Sequence, residues 1–477
     1  MLGRLALLRL REKIRPINPH GKKEKKCAIL IKTTLTLTEM IMILFTNTLT
    51  GKKEELIARD TVLMYVCGIT PYDHAHIGHG RCYVAFDILN RMLLFFGKSP
   101  LYCRNFTDID DKLLHRAEKE FGDRLRYGEI ADRYIKSFHH DMTLLNCLPP
   151  HIEPRVTDNI PAIVAFIQQL IDKGDAYQSG GDVYFDITRF PDYGKLSGQK
   201  IDDLYAGVRI DVREQKRNPL DFALWKGEKP EEFWPSPWGY GRPGWHIECS
   251  VLARIYLGEH LDIHGGGRDL IFPHHENEIA QSESLYGAPF ARLWIHNGFV
   301  NVNKEKMSKS LGNFFVLHEV FKQFDPMVLR YYFLTHHYRA PIEFSFDGIE
   351  SAQKSYERLI RLFTGYEATK TSSDIADRMT HFLRDDMNTP GLLGVLFENY
   401  ATIAHNESDL CAIKNILVNV LGLTLEPLSA EKVIITPEIQ ALIDARELAR
   451  QEKNWKRADE LRDQLKALGF DIHDQKI

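Results

Sequence analysis

Residues 61–79 decide the fold and read TVLMYVCGITPYDHAHIGH. The first seven are apolar, β-branched or aromatic and stop at Gly68, which is typical of a buried parallel strand. A loop with Pro71 follows, and apolar residues then recur at helical spacing over residues 80–96, before Gly97. A strand, a loop and a helix in this order predict the opening unit of a Rossmann-like nucleotide-binding fold.

The same alternation returns further along the chain. The expected elements are a strand at 101–106, helices at 113–120 and 160–173, a strand at 182–187, a strand at 261–264 that meets three glycines, and a helix at 274–285. We interpret the stretch from about 115 to 240 as an insertion between two halves of the nucleotide fold. Beyond Asp325 the pattern is helical almost throughout, and Thr436-Pro437-Glu438 predicts a helix start.

Length and composition indicate an ordinary globular protein. The chain has 477 residues, of which 44% are hydrophobic and 26% charged, and a net charge of -4. A polyanionic partner must therefore be met by a local basic patch. Seven cysteines without a CxxC pair predict reduced thiols and a cytoplasmic protein, and no apolar stretch approaches the roughly 20 residues of a membrane span.

The first 39 residues carry ten Lys or Arg against three Glu. They could form a transit-like leader. We favour an over-long start, with the folded chain beginning near Met40 or Met42.

Two short motifs, about 230 residues apart, point to adenylation chemistry. The first, HIGH at His76–His79, falls where a strand passes into a helix, so its imidazoles and the free backbone N–H groups can hold ATP phosphates, while Gly78 leaves room for adenine. The second is KMSKS, whose Lys306 and Lys309 can follow the departing pyrophosphate. Either motif alone is weak, because a four-letter match such as HIGH arises by chance and lysine-rich loops are usually just solvated. Both in this order resemble a class I aminoacyl-tRNA synthetase.

Four residues offer ligands for a metal. His274 and Glu278 lie four apart on the predicted helix, so their side chains share a face. Cys67 ends the first strand, and Cys249 follows Trp-His-Ile-Glu. Two thiolates, an imidazole and a carboxylate match zinc. Spacing alone leaves alternatives open, because His275 is adjacent to His274 and a buried cysteine is more often a small core residue.

At these residues the chain resembles the cysteinyl-tRNA synthetases, from about Met42 to the late 460s. The resemblance is carried by KMSKS and by the segments Tyr65–Asp73, Arg104–Lys112, Pro243–Ser250, Asp262–Gly267 and Phe272–Glu278. It implies an α/β protein: a Rossmann-like catalytic domain with an inserted connective domain, followed by an α-helical bundle and a small anticodon-binding region. The expected divisions are an N-terminal extension (1–41), the first catalytic half (42–150), the insertion (151–240), the second catalytic half (241–300), the KMSKS loop and stem-contact segment (301–350), the helical bundle (351–435) and the anticodon-binding region (436–477).

The resemblance also implies the chemistry. One Zn2+, held by the four residues above, takes the thiolate of L-cysteine and discriminates against serine, so no editing domain is expected. Thr107, Trp245 and Asp269 surround the bound amino acid, with Trp245 as a wall and Asp269 on the ammonium group. Alternatively, Thr107 caps a helix and Trp245 belongs to the core. Mg2+ accompanies ATP, and the activated cysteine is transferred to tRNA(Cys) by a monomeric enzyme.

The last two predicted helices would meet the anticodon. Their basic residues and one tryptophan are Arg446, Arg450, Lys453, Trp455, Lys456, Arg457 and Arg462. Interleaved acidic residues make a solvated helical face an equal interpretation for each of them. The chain ends at Ile477, before the family's usual tryptophan-containing tail, which leaves part of the family's anticodon contacts unaccounted for.

Two rival functions remain. A mycothiol-pathway cysteine ligase shares the catalytic half but lacks most of the anticodon part, whereas more than 100 residues follow the catalytic half here. A zinc-containing RNA-binding protein without activity would usually have lost HIGH or KMSKS, and both are intact.

Overall fold

The structure is a computed structural model and describes residues 42–57, 60–200, 216–302, 305–306, 315–428, 442, 445–446, 448–450 and 454–467. The strands are β1 Leu44–Thr46, β2 Lys53–Glu55, β3 Thr61–Ile69, β4 Ser99–Phe106, β5 Ala176–Ser179, β6 Asp182–Phe185, β7 Phe222–Gly227, β8 Trp234–Ser236, β9 Gly239–Pro243, β10 Leu261–Gly267, β11 Ala291–Asn297, β12 Val300–Val302, β13 Glu305–Lys306 and β14 Ile342–Glu343.

The α-helices with described bounds are α1 Ile77–Phe95, α2 Asp111–Phe121, α3 Tyr127–Leu144, α4 Ile160–Lys173, α5 Trp245–Leu257, α6 Glu276–Tyr286, α7 Leu317–Phe321, α8 Pro326–Leu334, α9 Phe346–Phe363, α10 Asp374–Arg384, α11 Thr389–Glu398, α12 Tyr400–Ile403, α13 Glu407–Asn419 and α14 Trp455–Ala467. Within the described ranges, none of these helices is long and apolar enough to cross a membrane.

A parallel sheet with the order β11-β10-β3-β4 forms the centre of the catalytic region. The chain builds β3 and β4 on one side and returns to build β10 and β11 on the other, so the strand order reverses between β3 and β10. Ligands of open parallel sheets bind at the carboxyl ends of the strands beside such a switch point. The ends of β3 and β10, at Ile69 and Gly267, therefore mark the expected site.

The two faces of the sheet belong to different cores, because alternate residues of a strand point in opposite directions. On β3, Val62, Met64 and Val66 join a core that includes α1 and the C-terminal helices. Tyr65 and Cys67 join the other core, together with α5, α6 and the inserted sheet. Cys67 is thus turned toward the helices that carry Cys249 and Glu278.

The intervening chain forms a separate antiparallel sheet with the order β5-β6-β7-β9-β8. A small sheet, β13-β12-β14, follows the parallel one, and the rest of the described chain is largely helical. These elements confirm the predicted α/β class and the helical character beyond Asp325.

Several predicted boundaries are right within a few residues, and α4 has the predicted bounds. Two predicted boundaries differ from the observed ones, each for a physical reason. Helix α1 begins at Ile77, three residues early, because His76 and His79 cap its first turn. Residues 265–267 continue β10, because they pair with Ile295, His296 and Asn297 of β11. Position 265 has no room for a side chain, since a Cβ there would lie 2.3 Å from Cε1 of Phe86.

Arg81, in the second turn of α1, fixes two chain segments beside the expected site. Its buried guanidinium donates to five backbone carbonyl oxygens, those of Gly298, Phe299, His337, Tyr338 and Ala340. Burial lowers the pKa of Arg81 to about 10, so the group is still charged at neutral pH. The helix that starts with HIGH is thereby tied to the chain that leads into β12 and to the loop before β14.

Candidate active site and metal centre

Four side chains from separate elements converge at the carboxyl end of the parallel sheet. Cys67 lies near the end of β3, Cys249 in α5 and Glu278 in α6, and His274 lies in the helical turn Ile271–His275 that precedes α6. The Sγ atom of Cys67 is 3.6 Å from Sγ of Cys249 and 3.5 Å from Oε1 of Glu278. Nε2 of His274 is 3.1 Å from the same carboxylate oxygen. All four residues are buried.

This donor set fits a tetrahedral zinc ion. One ligand atom from each residue lies within 4.8 Å of all the others. Zn–S bonds of about 2.3 Å at the tetrahedral angle separate two sulfurs by about 3.8 Å, close to the 3.6 Å between Cys67 and Cys249. A disulfide would require a separation of about 2.05 Å, and both cysteines are free.

Burial sets the protonation of these groups. It raises the pKa of the Cys67 thiol well above its ordinary value, and it raises that of Cys249. It lowers the pKa of His274 well below its ordinary value, which favours the neutral imidazole that metals bind. The thiols would be neutral by themselves, so thiolates at this position require a nearby cation.

Further histidines surround the cluster, and the sequence assigned no role to His246, His264 or His296. Nε2 of His264 is 2.7 Å from Oε2 of Glu278, and Nδ1 of His246 is 3.0 Å from Nδ1 of His274. Nε2 of His275 is 3.3 Å from Sγ of Cys67, and its Nδ1 is 2.8 Å from Nε2 of His296. Partners of this kind orient metal ligands. The sequence signals for them were the strand end at His264 and the adjacency of His275 to His274.

Cys67, His264, His275 and Glu278 form a second, overlapping donor set within the same 4.8 Å limit. The sequence left open which of the adjacent residues His274 and His275 is the ligand, and the structure places each of them in one of the two donor sets. The set with Cys249 and His274 supplies the second thiol that zinc favours. In it, the imidazole of His274 also stacks on Trp245, with ring centroids 4.4 Å apart.

An open cavity of about 540 Å³ joins this cluster to the HIGH motif. Its lining includes predicted site residues from both halves of the catalytic region: Cys67, His76, Gly78, His79, Trp245 and Asp269. A metal at the cluster would therefore face the same cavity as the predicted nucleotide-binding residues.

The two histidines of HIGH cap helix α1 reciprocally. The backbone N–H of His79 donates to Nδ1 of His76, and the N–H of His76 donates to Nδ1 of His79, both at 3.3 Å. Their rings stack with centroids 3.6 Å apart. Because Nδ1 accepts in each ring, a neutral imidazole carries its proton on Nε2, where it can donate to a phosphate. The capping role was not predicted.

The three residues expected around the amino acid have different surroundings. Trp245 lines the cavity with its side chain 39% exposed, and Asp269 lines it from the short turn after β10. Thr107 is buried and does not line this cavity. Its hydroxyl donates to Oε2 of Glu248 at 2.8 Å, and Asp110, not Thr107, caps helix α2. Burial raises the pKa of the Glu248 carboxyl well above its ordinary value.

Of the KMSKS motif, the structure describes only the backbone of Lys306, the last residue of β13, and Lys309 lies outside the described residues.

Near the C terminus, Trp455 is exposed, whereas Arg446 is buried. Arg457 pairs with Glu460 and Arg462 with Asp459. These pairs fit the solvated-face interpretation. Lys453 and the predicted helix start at 436–438 also lie outside the described residues.

Comparison with known proteins gives one consistent family. Residues 53–354 match the family described as tRNA synthetases class I (C) catalytic domain, and residues 435–476 match the cysteinyl-tRNA ligase anticodon binding domain. The chain is 46% identical over 458 residues to a cysteine–tRNA ligase of Geobacter sp. (strain M21), covering 88% of this chain and 95% of that protein. It is 47% identical over 456 residues to a cysteine–tRNA ligase of Geobacillus sp. (strain WCH70), covering 90% and 96%.

Solved structures support the fold. The structure of Mycobacterium tuberculosis methionyl-tRNA synthetase in complex with methionyl-adenylate superposes with a TM-score of 0.54 at 15% identity, covering 76% of this chain and 88% of that one. At this identity the likeness extends to the fold alone.

Proposed function

The chain belongs to the cysteinyl-tRNA synthetases of class I, and we propose that its buried Cys67–Cys249–His274–Glu278 cluster binds the zinc ion that selects the amino acid. The protein is a cysteine–tRNA ligase, whose partners include ATP and tRNA. The observation that carries the proposal is the convergence of two thiols, an imidazole and a carboxylate within 4.8 Å at the edge of the nucleotide cavity.

The cluster accounts for selectivity by chemistry and not by shape. A zinc ion held by Cys67, Cys249, His274 and Glu278 would supply a Lewis acid that prefers the thiolate of L-cysteine to the protonated hydroxyl of serine. A purely apolar pocket could not separate such near-isosteres. Trp245, stacked on His274, closes one side of the amino-acid site, and the Asp269 carboxylate pairs with the substrate ammonium group.

The HIGH histidines and the KMSKS lysines handle the nucleotide. Nε2–H of His76 and of His79 donate to the ATP phosphates beside the N-terminus of α1, with Mg2+ as the counter-ion. The cysteine carboxylate attacks the α-phosphate, and Lys306 and Lys309 stabilise the departing pyrophosphate. The terminal adenosine hydroxyl of tRNA(Cys) then attacks the mixed anhydride and releases AMP.

The rival ligation of an amino sugar is less well supported. The catalytic half would serve either acceptor, but the anticodon-binding match over residues 435–476 has a use only with tRNA. We therefore propose tRNA(Cys) as the acceptor, read in part by the C-terminal region.

The test combines metal content with cysteine-dependent pyrophosphate exchange. Wild-type protein is expected to hold one zinc per chain and to exchange with cysteine but not serine. Cys249→Ser is expected to lose the zinc and most of the exchange. Cys103→Ser is a matched control, because Cys103 is equally buried in the same core but belongs to neither donor set.

The proposal fails if Cys249→Ser retains stoichiometric zinc, or if zinc-free wild-type protein discriminates between cysteine and serine as well as the loaded enzyme does.

A further inference from the structure

A second cavity, of about 340 Å³, lies beside the catalytic one and has a basic lining. It is lined by Thr48, Arg268, Ile271, His296, Arg339 and Ala340. Two guanidinium groups and no carboxylate face it. Arg268 lines both this cavity and the catalytic one, so the two are neighbours.

The charges of this cavity are only partly compensated. Within the described parts of the chain, no carboxylate forms an ion pair with Arg268, which is exposed. Nη1 of Arg339 lies 3.7 Å from Oδ2 of Asp386. That carboxylate already accepts hydrogen bonds from the hydroxyls of Thr46 and Tyr338. A net positive charge is thus left on the cavity of a chain whose total charge is negative.

Arg339 stands on a rigid loop. The carbonyl oxygens of His337, Tyr338 and Ala340, on both sides of it, accept from the buried guanidinium of Arg81. The N–H of Gly298 donates to the Tyr338 carbonyl at 2.8 Å. These contacts fix the backbone from which the Arg339 side chain extends, so no loop has to be ordered when an anion binds.

The polar groups between the two arginines are also fixed. His296, on β11, is held between His275 and the Thr48 hydroxyl, with nitrogen contacts of 2.8 Å to each. The N–H of Thr48 donates to the carbonyl of Trp294 at 2.9 Å. The cavity therefore presents two cations on a framework of positioned hydrogen-bonding groups, which suits a phosphate group.

We propose that this cavity binds a backbone phosphate of the tRNA strand that enters the active site. The inference rests on the proposed function, because a tRNA acceptor is assumed. Neither HIGH histidine lines the basic cavity, so the predicted phosphates of ATP have their own donors elsewhere. Free pyrophosphate has the same chemistry as a nucleic-acid phosphate, and the experiment must distinguish the two.

The experiment separates the half-reactions. For Arg339→Ala we expect the KM for tRNA in aminoacylation to rise about tenfold, the loss typical of one charge-assisted hydrogen bond. The slope of log KM for tRNA against log salt should fall by about one. The KM for pyrophosphate in cysteine-dependent exchange should stay within twofold of wild type, because that reaction needs no tRNA.

Lys53→Ala is the matched control. Lys53 pairs with Asp385, the neighbour in sequence of the Asp386 that pairs with Arg339. Its removal deletes a nearby cation, and Lys53 does not line the cavity. The KM for tRNA of this variant should match wild type. Arg339→Lys should recover part of the loss.

A KM for tRNA within twofold of wild type in Arg339→Ala would overturn the proposal. A rise confined to the KM for pyrophosphate would also overturn it and would assign the cavity to the leaving group. If Arg339→Ala does not fold, Arg339→Gln carries the same comparison, because it removes the charge and keeps most of the length of the side chain. Wild-type protein without any exchange activity would instead refute the proposed function itself.

Discussion

The Sγ atoms of Cys67 and Cys249 lie 3.6 Å apart, although 182 positions separate them in the chain. Cys67 reaches this point from the face of β3 that is turned away from α1, and Cys249 reaches it from α5, which packs on that face. The candidate metal-binding cluster is therefore a product of the doubly wound topology, and its geometry depends on residues that are not among its four members.

His264 should control the affinity for zinc without being a required ligand. Its Nε2 is 2.7 Å from Oε2 of Glu278, and its ring stacks on Trp294. His264→Phe keeps an aromatic ring there but leaves the carboxylate without its partner. We expect zinc affinity to fall about 10- to 100-fold, measured by competition with a chelator. His260→Phe, at an exposed histidine just before β10, is the control, and equal affinity in both variants would contradict this role.

His76→Asn separates capping from catalysis. Asparagine is a favourable N-cap, so α1 should keep its first turn and the melting temperature should change little. The imidazole donor is lost, and the pyrophosphate-exchange rate should fall by about 10²- to 10³-fold. A rate within about threefold of wild type would remove His76 from the proposed nucleotide site. A large drop in melting temperature would mean that histidine at position 76 is required for capping α1 and not for catalysis.

Arg81→Met should destabilise the protein strongly. The change leaves buried carbonyl oxygens of two segments without their shared donor, and we expect the free energy of unfolding to fall by at least about 2 kcal/mol. Urea unfolding of the full chain measures this. Arg378→Met, at an exposed arginine that pairs with Glu398, should be close to wild type. Similar losses in both variants would argue against a structural role specific to Arg81.

Asp141 should make stability depend on pH. Burial raises the pKa of its carboxyl to about 7, and its Oδ2 has no partner among the described residues. Between about pH 4, where the group ionises in the unfolded chain, and pH 7, folding takes up a proton. The free energy of unfolding therefore falls as pH rises through this window.

Asp141→Asn lacks this loss, so its stability advantage over wild type should grow from pH 4 to pH 7 and then level off. Asp132→Asn is the control on the same helix, because Asp132 is exposed and paired with Arg155. A pH-independent difference between Asp141→Asn and wild type would show that Asp141 does not titrate in this range.

Local patterns predicted the elements well. Apolar runs gave β3 and β4 within two residues, and α4 has its predicted bounds. The errors fall where capping or strand pairing, which apolar periodicity does not show, decides the backbone. His76 and His79 extend α1 at its N-terminal end, and the three glycines after His264 continue a strand because they pair with β11.

The sequence by itself determined the Rossmann-like class, the likeness to cysteinyl-tRNA synthetases and a short set of candidate ligands, because strand and helix periodicity and the residue types of a motif are local properties. Only the tertiary structure decided that Cys67 and Cys249 meet, that Thr107 hydrogen-bonds to Glu248 away from the cavity, and that Arg339 shares a basic cavity with Arg268. Each of these depends on which face of an element is buried against which neighbour, and that is fixed by packing between segments that lie far apart in the chain.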